Sequence, residues 1–153
     1  MRTSESVLVP AHTSLVFPHV ADLVAYPSWL GLVHTAERLV PSSAEDGRPA
    51  WSVELRARVG PFARSKQLRM ERTDMVPDCL AVFERAETDG RHHARWVLRA
   101  ELESVAGDQT LLTMHLAYDG ALWTGGLLER VLDEEIRRGR VGLVRLVSGG
   151  PTR

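Results

Sequence analysis

The chain has 153 residues, of which 44% are hydrophobic and 25% are charged, as in an ordinary globular domain. Its formal net charge of -1 excludes bulk electrostatic attraction to nucleic acid or to an anionic membrane, and no segment approaches the roughly 20 apolar residues that span a bilayer. Cys79 is the only cysteine, which excludes an internal disulfide, and without an apolar run typical of a signal peptide we expect a reduced, cytoplasmic location.

The N-terminal part predicts a strand, two short helices and a second strand. Residues 6–10 alternate weakly between polar and apolar side chains, which indicates the first strand. Thr13 or Ser14 can cap a first helix, and residues 26–30 predict a second helix with proline in its first turn. Residues 33–41 predict the next strand.

A clear alternation of apolar and polar residues begins at Trp51 and predicts five further strands. These strands cover residues 51–59, 64–73, 81–87, 94–102 and 112–118. Asp89-Gly90 predicts a tight hairpin, which would set Phe83 opposite Trp96. The inward-facing residues of the last two strands are then predicted to pair, with Leu98 opposite Leu116.

The C-terminal part predicts one long helix. Its apolar stripe recurs at helical spacing and consists of Leu128, Leu132, Ile136, Leu143 and Val147. Glu134 and Arg138 form a favourable pair one turn apart. Gly139 and Gly142 weaken the helix by about 1 kcal/mol each relative to alanine, which predicts a close approach to the sheet or a bend. Without repeats or low-complexity linkers, residues 1–153 are predicted to form a single domain.

Two motifs connect this order of elements to a known fold. The stretch VFPHVAD (residues 16–22), followed by YPSWL (residues 26–30), is similar to the helix-to-helix segment of the SRPBCC superfamily, also called START-like or Bet v 1-like. Residues 64–72 and 112–120 resemble actinobacterial members described as polyketide cyclase/dehydrase-like. The resemblance implies an α+β helix-grip fold, in which a curved seven-stranded antiparallel sheet wraps around the C-terminal helix and two short helices follow the first strand.

In that superfamily the sheet and the long helix enclose an apolar cavity that holds a lipid, a polyketide or another hydrophobic molecule. The resemblance implies ligand-binding positions on the sheet (Trp51, Val53, Leu55, Met70, Phe83, Trp96, Leu98, Met114, Leu116), on the helix (Leu128, Leu132) and near the mouth (Trp29, Trp123). The alternative is that these side chains fill a solid core, as buried aromatic residues commonly do.

Three polar residues share the inner parity of their strands and are weak catalytic candidates: Arg72, Arg85 and Tyr118. An arginine in an apolar cavity needs a partner, which a ligand carbonyl or carboxylate can supply, and the tyrosine can orient a polar group or transfer a proton. The alternatives are arginines that reach solvent or a nearby carboxylate, and a core tyrosine bonded to the backbone. Cys79 is interpreted as structural. The sequence carries no metal-ligand spacing and no nucleotide or nucleophile-elbow motif, so no metal and no cofactor are expected.

These observations leave three hypotheses for function. The first is binding of a hydrophobic small molecule, and the second is a polyketide cyclase, aromatase or dehydrase acting on a poly-β-ketone in the same cavity. The third is an interaction or toxin-like module whose cavity is incidental. The expected partner is the hydrophobic ligand, with no nucleic acid, no stable membrane insertion, and a monomeric or homodimeric chain.

Overall fold

The protein is described by a computed structural model that covers residues 2–40, 47–59, 61–120 and 127–149. Its strands are β1 (Arg2–Val9), β2 (Val33–Arg38), β3 (Ala50–Val59), β4 (Phe62–Val76), β5 (Leu80–Arg85), β6 (Trp96–Val105) and β7 (Gln109–Tyr118). They form one antiparallel sheet in the order β1-β7-β6-β5-β4-β3-β2. The predicted seven-stranded sheet is therefore confirmed, although β1 and β4 begin earlier and β2 ends earlier than the sequence suggested.

Alternation of side chains decides which face of the sheet is buried. In β7 every second residue is buried, and the same parity runs through Trp96, Leu98 and Ala100 of β6. The two strands pair with Leu98 opposite Leu116, as predicted. A one-residue slip would turn this whole apolar set to solvent, so the register is strongly specified.

The predicted tight hairpin between β5 and β6 is wrong. Phe83 lies opposite Leu98 and Ala81 opposite Ala100, a shift of two residues that keeps the inner parity. The turn at Asp89-Gly90 does form, because Asp89 Oδ1 accepts the Arg91 N–H at 3.0 Å and Gly90 has a φ of 75°. However, the connection spans residues 86–95, since the Arg85 guanidinium bonds to side-chain and backbone groups within it.

The helical segments after β1 are α1 (Thr13–Val16) and two 3₁₀ helices, Phe17–His19 and Leu23–Ser28. His12, and not Thr13 or Ser14, caps α1: its Nδ1 accepts the Ser14 N–H at 3.1 Å. Asp22 caps the second 3₁₀ helix in the same way, through the Val24 N–H at 3.0 Å. Pro18 and Pro27 fall inside the 3₁₀ helices, which explains why no regular α-helix continues.

The long helix is α2 (Leu127–Gly149). Leu132, Ile136 and Leu143 are buried along one face, and Arg138 donates to Glu134 at 2.8 Å, so the predicted pair is confirmed. On the flank towards β1, Arg140 Nε donates to the Leu8 carbonyl at 2.7 Å. Among the described residues, no helix combines the length and the apolar character needed to cross a membrane.

The glycines of α2 meet the second 3₁₀ helix and not the sheet. A Cβ at Gly139 would lie 2.7 Å from the Trp29 carbonyl oxygen, and one at Gly142 would lie 3.3 Å from Trp29 Cα. The predicted close approach therefore exists, but its partner is the backbone around the Tyr-Pro-x-Trp segment. Only a residue without a Cβ fits at Gly139 without displacing that backbone.

Candidate functional site

An apolar cavity of about 40 Å³ lies between the sheet, the short helices and α2. All of its described lining residues are apolar: Leu23, Leu30, Leu32, Val33, Val53, Leu55, Leu68, Met70, Trp96, Leu98, Leu116 and Leu132. Water needs two to four polar partners to be held in such a space, and these side chains offer almost none. The cavity is therefore suited to apolar atoms and not to solvent.

The cavity brings together residues from four strands and the long helix that the sequence had suggested for ligand binding. Those that line it are Val53, Leu55, Met70, Trp96, Leu98, Leu116 and Leu132. Trp29, Trp51, Phe83 and Met114 are buried but are not among the lining residues. Trp123 lies outside the described residues, and for Leu128 only the backbone is described.

Trp29, Trp51 and Phe83 instead form an aromatic cluster around Tyr26. Tyr26 contacts Trp29 and Phe83 with ring centroids 5.1 and 6.1 Å apart, and Phe83 contacts Trp51 edge-on at 5.5 Å. The Tyr26 hydroxyl donates to the Val20 carbonyl at 2.9 Å. Burial raises the pKa of this phenol well above its usual range, so Tyr26 is a neutral structural residue that fixes the short helices on the sheet.

Five lining residues were not suggested by the sequence: Leu23, Leu30, Leu32, Val33 and Leu68. Leu68 shares the inner parity of Met70, so the alternation in β4 already contained the signal for it. Leu23 lies in a 3₁₀ helix and Leu30 and Leu32 follow it, in a segment where apolar residues follow neither a period of 2 nor one of 3.6. Val33 is the first residue of β2. The only feature of the sequence that could have pointed to these residues is their position around the Tyr-Pro-x-Trp segment.

Asp22 is the residue that joins this segment to the sheet. Its Oδ1 accepts both the Val24 N–H and the Trp51 Nε1–H, each at 3.0 Å. Trp51 is fully buried, and its ring lies below two guanidinium groups, with Arg38 Cζ 5.2 Å and Arg72 Cζ 5.9 Å from the ring centroid. The aspartate of the VFPHVAD motif therefore acts in packing.

Replacing Asp22 with alanine is expected to lower the free energy of unfolding by about 2–4 kcal/mol, because a buried indole N–H and a helix cap lose their acceptor together. Asp22→Asn is the matched control, since its side-chain oxygen can still accept both hydrogen bonds. Urea denaturation of the two variants measures the difference. Equal stabilities would show that these two hydrogen bonds contribute little.

Arg72 is held by the protein itself. Its Nη1 donates to the Ala21 carbonyl at 2.7 Å, which attaches the short helices to β4. Burial and the nearby Arg38 lower the pKa of Arg72, with Asp22 opposing the shift. Arg72 is not among the described residues that line the cavity, so its position gives no support to a role in polarising a bound carbonyl.

Arg85 also has protein partners, as its burial requires: its side chain is only 6% exposed. Its Nε donates to Glu87 at 2.7 Å, and Nη1 donates to the Ala94 carbonyl at 3.2 Å. Nη2 lies 3.2 Å from His93 Nδ1, and since the arginine donates, His93 must carry its proton on Nε2. That nitrogen donates to Asp89 at 2.8 Å, and the Arg91 N–H together with His93 lowers the pKa of Asp89.

Tyr118 is buried and packs on Trp96, with ring centroids 4.4 Å apart. It is not among the described lining residues of the cavity. The three catalytic candidates therefore contact different parts of the protein. Arg72 bonds to the short helices, Arg85 bonds to the β5–β6 connection, and Tyr118 packs on Trp96. The described part of the chain holds no cluster of metal-ligating side chains, and Cys79 is an exposed free thiol.

The outer face of the sheet carries a serine, a histidine and a glutamate in contact. Ser4 Oγ lies 2.7 Å from His115 Nδ1, and His115 Nε2 bonds to Glu101. The three residues lie on the adjacent strands β1, β7 and β6. The cluster therefore acts in cross-strand pairing.

This cluster predicts a pH dependence of stability. Burial raises the pKa of Glu101, but hydrogen bonds from His115 and Arg99 outweigh it and hold the pKa below its ordinary value of 4.5. The unfolded chain then binds more protons between the two values. The stabilisation is therefore present above pH 4.5 and is lost as the pH falls through the folded-state pKa.

Glu101→Gln is expected to lower the free energy of unfolding at pH 7 by less than about 1 kcal/mol, because the side chain is 43% exposed. The difference from the unsubstituted protein should shrink as the pH falls below 4.5 and through the folded-state pKa of Glu101, as followed by urea denaturation across that range. Glu103→Gln, on the same face of β6, should have a smaller effect at pH 7. A difference that does not shrink as the pH falls below 4.5 would contradict the assignment.

Comparison with known proteins identifies the fold. The sequence matches no protein-family model and no curated protein. Among solved structures, it is similar to a START superfamily protein from Mycobacterium smegmatis, with 19% identity, a TM-score of 0.69, and coverage of 96% of this chain and 97% of that one. It is also similar to the Zhui aromatase/cyclase from Streptomyces sp. R1128, with 16% identity, a TM-score of 0.59, and coverage of 97% and 92%.

A third similar structure is Ara h 8.0201, with 10% identity, a TM-score of 0.64, and coverage of 98% of this chain and 99% of that chain. The identities are low, whereas the coverage is nearly complete in every case. The chain therefore has the helix-grip fold of the SRPBCC superfamily, START-like or Bet v 1-like, as the sequence motifs implied.

Proposed function

We propose that this chain binds a hydrophobic small molecule in the cavity between the sheet and α2. The observation that carries the proposal is the composition of the wall: every described lining residue is apolar. In a helix-grip fold the sheet curves around the helix and leaves a space between them, and here that space is lined by apolar side chains. Such a space favours apolar ligand atoms over water.

The size of the cavity indicates how binding must occur. Ligand pockets commonly have volumes of about 300–1,000 Å³, whereas this cavity has about 40 Å³. A ligand therefore has to displace part of the wall. Met70 is suited to such a change, because an unbranched thioether side chain adapts readily to the shape of its surroundings.

The groove between α2 and β3 is the entrance that we propose. This groove has a volume of about 420 Å³ and is lined by Gly31, Arg56, Ala57, Arg58, Val131, Glu134, Glu135 and Arg138. Three of these residues directly neighbour cavity residues in sequence: Gly31 precedes Leu32, Arg56 follows Leu55, and Val131 precedes Leu132. An outward movement of α2 would therefore join the groove to the cavity.

The cyclase hypothesis gains no support from the described wall. A cyclase that polarises carbonyls needs donors or acids that face its substrate, but Arg72, Arg85 and Tyr118 are not among the lining residues. The similarity to an aromatase/cyclase concerns the fold, and the same fold can host unrelated functions. We therefore propose binding without a reaction.

Two measurements test the proposal. Native mass spectrometry of freshly purified protein should detect a bound hydrophobic molecule, and titration with 2-isopropenylnaphthalene should quench tryptophan fluorescence saturably. Val53→Ile adds one carbon to the cavity wall and should weaken naphthalene binding about tenfold. Val7→Ile makes the same change at a buried position away from the cavity and should leave binding unchanged.

A protein that is empty by mass spectrometry and does not bind the naphthalene probe would overturn the proposal. Equal binding by the Val53→Ile and Val7→Ile variants would place the site elsewhere. A protein partner recovered in pull-down experiments, with no small molecule bound, would instead favour an interaction module.

A further inference from the structure

The hairpin formed by β3 and β4 extends beyond the neighbouring strands of the sheet. β2 pairs with β3 only as far as Leu55, and β5 pairs with β4 only as far as Met70. Beyond these points β3 and β4 continue to pair with each other, up to Val59 opposite Phe62. The hairpin arm, residues 57–59 and 61–66, is therefore a two-stranded projection from the sheet.

The charge on this arm is entirely positive. Residues 55–70 contain no aspartate or glutamate, although the whole chain has a net charge of -1. Arg58, Arg64 and Lys66 of the arm form no ion pair with any residue that the structure describes. The overall charge therefore conceals a local concentration of unpaired cations.

An exposed aromatic side chain lies at the end of the arm. Phe62 is 70% exposed, whereas Phe17 and Phe83 are 9% and 0% exposed. Its neighbour Pro61 is also exposed. A single exposed apolar residue is common on protein surfaces, so its exposure alone indicates no function. The informative feature is that this ring shares one projecting arm with three unpaired cations.

We infer that the hairpin arm docks reversibly on the surface of an anionic lipid bilayer, with the Phe62 ring in the interface and the three cations against the lipid phosphates. An apolar side chain flanked by lysines and arginines is the combination that holds peripheral segments on such a surface. Arg64 lies opposite Ala57 and shares its face, while Arg58 lies on the other face. With cations on both faces, the arm approaches the bilayer with its end.

The arm is less suited to nucleic acid. Proteins that bind single strands stack successive bases on several aromatic side chains along a basic groove. The described part of the arm offers one aromatic ring and no groove of its own. A bilayer interface, by contrast, can accept a single ring together with its flanking cations.

The arm also borders the groove that we propose as the ligand entrance. Residues 56–58 form the β3 side of this groove. On the α2 side, Glu134 and Glu135 bond to Arg138 at 2.8 and 3.5 Å. Docking would bring this groove close to the lipid, from which a hydrophobic ligand could enter. That consequence rests on the proposed function, whereas the docking itself does not.

Co-sedimentation with two kinds of vesicle tests the docking. The protein is expected to bind phosphatidylcholine vesicles that contain about one third phosphatidylglycerol at least about tenfold more tightly than pure phosphatidylcholine, and added salt should weaken this binding. Phe62→Ala should bind about tenfold more weakly, whereas Phe62→Trp should bind at least as tightly as the parent protein, because tryptophan favours the interface. Leu15→Ala removes an apolar side chain that is 55% exposed on α1 and should leave binding unchanged.

A pair of double variants tests the cations. Arg58→Gln with Arg64→Gln is expected to weaken binding to the anionic vesicles by about tenfold or more. Arg2→Gln with Arg91→Gln removes the same charge at exposed positions outside the arm and should have a much smaller effect. Urea denaturation checks that all variants are as stable as the parent protein, as expected for exposed side chains.

The outcomes separate docking from ligand binding. A protein that does not bind anionic vesicles, or binds neutral ones equally well, would overturn the docking inference whatever the naphthalene titration shows. Equal losses in the two double variants would also overturn it, because net charge and not the arm would then decide binding. So would tighter binding to a single-stranded oligonucleotide that the arm variants abolish. Docking without naphthalene binding would support the inference and overturn the proposed function.

Discussion

Replacing Leu132 with alanine is expected to lower the free energy of unfolding by about 2–5 kcal/mol and, at the same time, to strengthen the binding of small aromatic molecules. Leu132 is 1% exposed and contributes the only described part of α2 to the cavity wall. Truncation therefore removes buried apolar surface and enlarges an existing apolar void. Enlarged voids of this kind stay dry and accept apolar ligands such as benzene.

Thermal denaturation with and without benzene measures both effects. Benzene should raise the melting temperature of Leu132→Ala, because a ligand that binds only the folded state stabilises it. Leu143→Ala is the matched control, since Leu143 is fully buried on the same helix but does not line the cavity. It should lose similar stability without gaining a response to benzene, and an equal response in both variants would contradict the assignment of Leu132 to the wall.

The second large effect is expected at Gly139, where alanine should destabilise the protein by about 1–3 kcal/mol. In an exposed helix interior the same substitution would instead stabilise by about 1 kcal/mol. The sign is reversed because the new Cβ would lie 2.7 Å from the Trp29 carbonyl oxygen and 3.1 Å from its ring. Either α2 or the backbone at Trp29 must then move.

Gly142→Ala provides the comparison within the same helix. Its Cβ would meet Trp29 Cα at 3.3 Å, which a shift of a few tenths of an ångström can relieve. We expect this variant to be more stable than Gly139→Ala by at least about 1 kcal/mol. Urea denaturation of both variants measures the difference, and a Gly139→Ala variant more stable than the parent protein would refute the close contact.

The strand pattern was predictable because one buried face imposes a period of two on the sequence. This period predicts Leu98 opposite Leu116, and the structure confirms the pair. The position of Phe83 was wrong by two residues, since the β5–β6 connection is set by hydrogen bonds from Arg85. Alternation determines which face a residue occupies, but it does not report how long a connection is.

The cavity was predictable only in part, for a related reason. Trp51 and Val53 share the inner face of β3, yet Val53 lines the cavity while Trp51 packs on Phe83. The alternation of side chains along β3 cannot distinguish these two residues. Which of them lines the cavity depends on how the short helices cover the sheet. Those helices contribute Leu23 and Leu30 through 3₁₀ turns, for which the sequence offers no periodic signal.

The hydrogen bond from Arg140 to the Leu8 carbonyl has a consequence for aggregation. β1 and β2 are the two edge strands of the sheet, and an uncovered edge is a template for strand addition from another chain. At β1 this edge is partly shielded by α2, through Arg140 and through the Arg137–Glu5 ion pair at 3.6 Å. If α2 moves outward to admit a ligand, the edge of β1 becomes exposed at the same time. A larger movement of this helix would therefore increase self-association through β1.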